Sequence, residues 1–435
     1  MVQGISFPFS NKSLLAIVIA CLLPLSSIAK GDVDATSYVQ KLINQSSVVD
    51  LKGQSFEVAT INLHSNLVLK NGRLISKSDV VLNADHLKNV RIENIEIDGS
   101  LASRVGIYMN YVESAKISKC KIHNIYSSVS GAYAIQLKRC TASTITESEV
   151  FDVESVPNGK GGDVPGSSRG ILIQACSNVK VEGNLVYRII SSEDGDGIHC
   201  INETSSENDH ITIRNNRVED CSRRFIKIQA RGVKILNNVL RSESEKYVEK
   251  CGIAVFASNC EIKNNTINSH TPMPIRIGES GQNVSNVIIA NNTIHYKGGT
   301  FRGAINMYTD VSGVVVKNND ITIAGASAHA FYLEDNLRDI QLKRNHVNGG
   351  KGLLYIRQEN AGDNLANIKV SSNTTSADQY LMQVVATQKA SKVDEITVKS
   401  NKVSLHNSQG DSQGVILKGI KSTSVKARSN RINKK

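Results

Sequence analysis

Residues 191–200 read SSEDGDGIHC, which gathers Glu193, Asp194 and Asp196 around two glycines and follows them with His199. A second stretch, SRRFIKIQ at 222–229, supplies Arg223, Arg224, Lys227 and Gln229. These residue types allow three chemistries. Two carboxylates across a glycosidic bond hydrolyse it, one as acid and one as base or nucleophile. An acidic, glycine-rich turn binds Ca2+ through oxygen ligands, with Asp163 and Asn202 as further donors. A lysine or histidine among arginines removes the proton beside a carboxylate, because the cations neutralise that carboxylate and make the proton acidic.

What positions these residues is a repeat. An apolar triplet, an Asn-Asn pair and a β-branched residue recur as ITIRNNRV (211–218), VKILNNVL (233–240), CEIKNNTI (260–267), VIIANNTI (287–294) and VVVKNNDI (314–321). Degenerate copies run on to SVKARSNRI (424–432), and the second Asn steps by 22 to 29 residues from Asn216 to Asn430. Short alternating strands at that period, with no helix signal, mark a β-solenoid. Each turn of chain buries its apolar face only by stacking on its neighbours, about 4.8 Å apart. Asn tolerates left-handed backbone and bonds its equivalents, so the asparagines form a structural ladder at one corner.

A second strand family lies between the corners, from VGIYMN and YAIQLK through DGIHCI and RFIKIQ to QGVILK. Alternate residues of a strand share a face, so aligning these strands predicts outward columns. One column runs Leu172, His199, Lys227, Ala254, Arg276, Asn306, Tyr332, Tyr355; its neighbour contains Gln229, Tyr308 and Arg357. His199 and Lys227 then project from successive turns, with Gln229 beside them and Arg276 two turns on. Tyr332 and Tyr355 are placed to stack sugar rings. At the strand entrance Arg169, Asp196 and Arg224 align, so Asp196 is expected to form ion pairs that position its neighbours. Glu193 and Asp194 are left for Ca2+ or for orienting His199 and Lys227. Expanded corners at 151–169, 187–196 and 241–250 enter strands at or beside the same turns, where long loops are commonly functional.

With the helix signal Thr36–Asn44, the entry SNLVLKNGRLI and the turns that follow, residues 50–435 resemble the pectate-lyase-like, right-handed parallel β-helix proteins. The resemblance implies an all-β fold: a single-stranded right-handed parallel β-helix of about twelve coils with a short N-terminal capping helix. Its members include lyases, hydrolases, epimerases, phage tailspikes and adhesins, so the fold leaves the chemistry open, although the expected secretory signal argues against a tailspike. Resemblance to the polysaccharide lyases of this fold, the biofilm-matrix type among them, implies a Lys or Arg base on the groove face. Lys227 is the expected base, its pKa lowered by Arg223, Arg224 and partial burial. His199 is the expected acid or alternative base, and Arg224 or Arg276 would hold a uronate carboxylate. Asn306, Tyr308, Tyr332, Tyr355 and Arg357 complete the expected groove. The related polygalacturonases carry Asp residues, a His and an Arg-x-Lys. Here Arg224 and Lys227 are separated by two residues instead of one, and Ser222, Arg223 and Arg224 stand where a partner Asp is needed. That departure favours β-elimination of an acidic exopolysaccharide over hydrolysis. A C5-epimerase shares its first step, and a non-catalytic matrix protein would use the same groove to bind.

The flanks and composition agree. Residues 1–29, with Lys12, the apolar run Leu14–Leu25 and the small residues Ser27–Ala29, read as a cleaved secretory signal. VIAC at Val18–Cys21 loosely resembles a lipoprotein box. Residues 30–89 read as cap and first coils, and 90–435 as the β-helix. The chain is read as a secreted monomer, periplasmic or extracellular, with no membrane span and no nucleic-acid partner. Its 51 basic against 40 acidic residues suit a polyanion outside the membrane, unless the charge is merely scattered. Seven cysteines follow the signal, an odd number. Cys140 and Cys176 align on adjacent turns, where a disulfide is expected to be permitted.

Overall fold

The computed structural model describes residues 34–155, 166–202, 210–242, 251–270, 272–297, 302–360, 364–387 and 392–435. Residues 1–33, which include the expected secretory signal and Cys21, the loop residue Asp163 and most of the corner at 241–250 lie outside the described residues.

The repeat becomes a parallel β-solenoid. Twelve strands, from Val105–Asn110 to Val415–Lys418, follow two short ones at Ile61–Asn62 and Val80–Asp85 in one parallel sheet of 14 strands. The remaining 31 strands form a second continuous sheet on the other sides of the coil. Inward positions stack in register: Ile171 on Ile198, then Ile226, Ile253, Ile275 and Ile305. All six are fully buried. Burying each such side chain contributes about 1.5–3 kcal/mol, and the branched shapes fit a pleated surface.

The corner explains the Asn pair. Its first member takes the left-handed conformation, with φ of 56° at Asn215 and Asn237, 58° at Asn264 and 57° at Asn291. Asn reaches that region at low cost because its side chain bonds locally. The second member turns inward and joins a continuous ladder from Asn184 to Asn430. Asn265 is typical. Its Nδ2 donates to Ile235 O and to Asn292 Oδ1, each at 3.0 Å, and its Oδ1 accepts from Asn238 N and Nδ2. At the other end, helix Thr36–Gln45 covers the first coils with the buried Val39 and Ile43. Among the described residues no helix is long and apolar enough to cross a membrane.

Cys140 and Cys176 do stack on adjacent coils, but both are free thiols, as are the other five described cysteines. Cys140 N donates to Cys176 Sγ at 3.3 Å, and each thiol also contacts backbone carbonyls, so both pack as small polar core groups.

Replacing Asn265 by Ala removes the acceptor of Asn238 N and the side-chain donor to Ile235 O inside the core, while Asn292 Oδ1 keeps the bond from the backbone N of residue 265. The expected loss is about 2–4 kcal/mol by chemical denaturation. Asn430→Ala, at the half-exposed last rung of the ladder, is expected to cost clearly less.

Candidate active site

The two signature stretches fold into adjacent strands, Asp194–Ile201 and Arg224–Gln229, which pair in parallel register. His199 lies beside Lys227, and Asp196 beside Arg224. Strand Ser167–Gln174 on the other side sets Arg169 beside Asp196. The outward columns read from alignment therefore hold. The two glycines allow the approach: a Cβ on Gly195 would lie 2.0 Å from Ser222 Oγ, and one on Gly197 would lie 2.7 Å from Phe225 O. Gly195 and Gly197 face inward so that Asp194 and Asp196 can face outward.

The result is a compact charge cluster. Asp196 is fully buried; its Oδ1 accepts from Arg224 Nη1 at 3.0 Å, and Arg169 Nε lies 3.4 Å from Oδ2. Asp194 sits nearer the surface. Its Oδ2 accepts from Lys227 Nζ at 3.1 Å and lies 3.4 Å from Arg169 Nη2, while its Oδ1 meets Arg224 and Arg223. Burial alone would raise the Asp194 pKa, but Arg224, Lys227 and Arg169 outweigh it and hold the carboxyl ionised far below the usual range. Burial lowers the pKa of Lys227; Asp196 opposes that shift and Arg224 adds to it. Four cations thus face two buried or half-buried carboxylates. Above them opens a cleft of about 350 Å³ lined by Ser167, Glu193, Asp194, Arg223, Arg224, Lys227 and Glu279.

His199 takes a different role from the one expected. Arg169 Nε donates to its Nδ1 at 2.8 Å, so that nitrogen holds a lone pair and Nε2 carries the hydrogen. Nε2 then donates to Gln229 Oε1 at 2.9 Å. Burial, then Arg169 and Lys227, keep the ring neutral, with a pKa well below its usual value. Both nitrogens are engaged inside the protein, so His199 orients Arg169 rather than exchanging protons with a ligand. Gln229 anchors His199.

The calcium reading is also revised. Asp194 and Asp196 are enclosed by Arg169, Arg223, Arg224 and Lys227, which repel a cation. Glu193 is exposed, and its backbone carbonyl accepts from Arg223 Nη1 at 2.8 Å. Among the described residues no three His, Cys, Asp or Glu side chains converge as metal ligands.

Further along the face the expected groove divides. Arg276 lies two turns from Lys227, its guanidinium 5.2 Å from the Phe256 ring centroid and 4.8 Å from that of Tyr308. Burial pushes the Tyr308 phenol up to about 12, which leaves it a neutral contact surface. Asn306 is buried and bonds Gly303 N and Ile275 O within the sheet, so it supports the strands instead of meeting a ligand. Tyr332 and Tyr355 stack on each other at 5.7 Å, and Arg302 covers Tyr332 at 4.9 Å. With Tyr332 at 0 % and Tyr355 at 8 % exposure, neither offers a face to a sugar. Arg357 pairs with Glu359 five turns from Lys227, about 24 Å away at one strand spacing per turn, so it does not join the cluster.

Three residues escaped the sequence reading as site members: Arg169, Ser167 and Glu279. Arg169 was visible in the Arg–Asp–Arg alignment, but its hold on His199 was not. Ser167 begins its strand and Glu279 lies two residues past the strand Ile275–Ile277, where no repeat position marks them.

With coil, corner ladder and outward charge cluster in place, the molecule is an all-β parallel helix with a polar cleft on its fourteen-stranded sheet. The chain belongs to the family described as right handed beta helix region, which matches residues 78–267 and 246–403. No curated protein sequence matches it. Among solved structures it is similar to a mutant of the tailspike protein of E. coli bacteriophage HK620 in complex with a hexasaccharide. That likeness has 13% identity and a TM-score of 0.51, and covers 89% of this chain and 75% of the tailspike. It is also similar to PfbA, a surface adhesin of Streptococcus pneumoniae, at 12% identity and a TM-score of 0.52, over 89% of this chain and 92% of the adhesin. At such identities the likeness establishes the fold.

The buried, neutral His199 gives stability a defined pH dependence. The unfolded chain takes up a proton on this ring below about pH 6.5 and the folded chain does not, so stability is full above that value and falls as pH drops. Denaturation at about pH 7.5 and pH 5 is expected to differ by about 1–2 kcal/mol from this residue. His199→Gln, which still accepts from Arg169, is expected to flatten that slope.

Proposed function

We propose that this protein is a secreted polysaccharide lyase that cleaves an acidic, uronate-containing exopolysaccharide by β-elimination, in biofilm-matrix or capsule turnover. The carrying observation is Lys227. It is a largely buried amine with a lowered pKa, opening onto a cleft flanked by Arg223 and Arg224. A uronate carboxylate bound by those arginines would lose its repulsion toward a developing carbanion, which acidifies the C5 proton. Neutral Lys227 takes that proton, the electron pair forms the C4–C5 double bond, and the C4–O bond breaks. The leaving oxygen is protonated by the new Lys227 ammonium or by water. Asp194, held ionised beside Nζ, stabilises the ammonium. His199 and Asp196 position Arg169 and Arg224, and Arg276 with Tyr308 extends the binding face. The saccharide bound by the similar tailspike supports a carbohydrate ligand.

A hydrolase reading rests on one observation: Glu193, Asp194 and Glu279 line the same cleft. Ionised Asp194 would serve as base or nucleophile there, with a glutamate as acid. The products distinguish the two. Acidic exopolysaccharide treated with the protein is expected to gain the ultraviolet absorbance of unsaturated uronates; new reducing ends without it would mean hydrolysis, and neither would mean binding or epimerisation. Lys227→Ala is expected to lower kcat by about 10²–10⁴-fold, and full activity in that variant would remove it as the base. Arg223→Ala, at the half-open rim, is expected to act mainly on KM.

A further inference from the structure

The basic charge of this protein is not scattered. Of the formal net charge of +11, residues 392–435 carry +7, from ten Lys and Arg against Asp394, Glu395 and Asp411. All ten cations are exposed. Stacking concentrates them further. Lys399 lies in register with Arg428, and Lys402 with Arg431, on either side of the buried Asn401 corner. Lys426 shares a strand and a face with Arg428. These five form no salt bridge among the described residues, whereas Arg214 and Lys263 in earlier coils pair with Glu182 and Glu261 at 2.7 Å each.

Like charges one strand spacing apart repel and destabilise a sheet. A bound polyanion would reverse that term. A second copy of this chain would not, because docking on this coil would bring two sets of cations together. Single-stranded nucleic acid is disfavoured as well, since residues 381–435 contain no Phe, Tyr or Trp on which bases could stack. Seven strand pairings separate this region from Lys227, about 34 Å along the solenoid.

We propose that coils 392–435 form an anchoring site for a linear acidic polysaccharide, holding a carboxylated chain on stacked cations without cleaving it. The choice of ligand rests on the lyase reading above; the surface itself does not. One long chain touching both sites would raise the effective concentration of substrate at the cleft.

The test combines Lys399→Gln, Lys402→Gln, Lys426→Gln, Arg428→Gln and Arg431→Gln, all exposed positions, with an unchanged melting temperature confirming the fold. In a Lys227→Ala background that prevents cleavage, long polygalacturonate is expected to bind the fivefold variant at least about tenfold more weakly, with a shallower dependence on salt. In the Lys227 parent, turnover of short oligouronates is expected to be unchanged by the five substitutions. Equal affinity with and without the five cations would overturn the proposal, as would tighter binding of double-stranded DNA than of polygalacturonate at the same salt. If no acidic polysaccharide is cleaved yet binding still depends on the five cations, the lyase reading falls and the anchor stands. If cleavage occurs and binding ignores them, the anchor alone falls.

Discussion

Backbone hydrogen bonds between successive coils hold equivalent residues one strand spacing apart, and every other feature of this protein inherits that constraint. The same register that sets Ile198 on Ile226 in the core sets His199 beside Lys227 outside it. A slip of one residue would exchange the two faces, sending the cluster inward and the isoleucines into water. The Asn ladder protects the register from within. Each rung satisfies buried donors of the rung before it, so coils cannot shift singly without stranding amides.

The cluster at the cleft is a second consequence of stacking. Placed alone, Lys227 or Asp194 would be costly to bury. Placed on three adjacent strands, Arg169, Asp196, Arg224, Asp194 and Lys227 offset one another, and two carboxylates organise four cations. The arrangement sets each group's state: Asp194 stays ionised, His199 stays neutral, and Lys227 loses part of its hold on a proton. Arginines fixed by buried acids cannot turn away when an anion arrives. That preorganisation is what a site for a carboxylated ligand requires.

Charge is also distributed along the axis. The middle of the solenoid neutralises its cations locally, through pairs such as Arg188 with Asp152 and Arg214 with Glu182. The last coils do not. Lysines and arginines stacked there without acidic partners provide complementarity to a polyanion.

The architecture was legible in the sequence because stacking makes periodicity and space nearly the same thing. The period near 27, the Asn corner, the inward isoleucines and the pairing of position 199 with 227 all follow from aligning one strand family. What alignment cannot supply is the direction and partner of a side chain once it leaves the sheet. Sequence left Asp194 for a metal or for orienting His199 or Lys227, and folding paired it with Lys227 and surrounded it with three arginines, which leaves no place for the metal. It placed Tyr332 and Tyr355 outward, and folding stacked them on each other beneath Arg302. It offered His199 a proton to exchange, and Arg169 and Gln229 occupied both nitrogens. Repetition along the chain encodes which residues are neighbours. Only the tertiary structure decides what those neighbours do to each other, because burial and charge depend on groups that the repeat does not align.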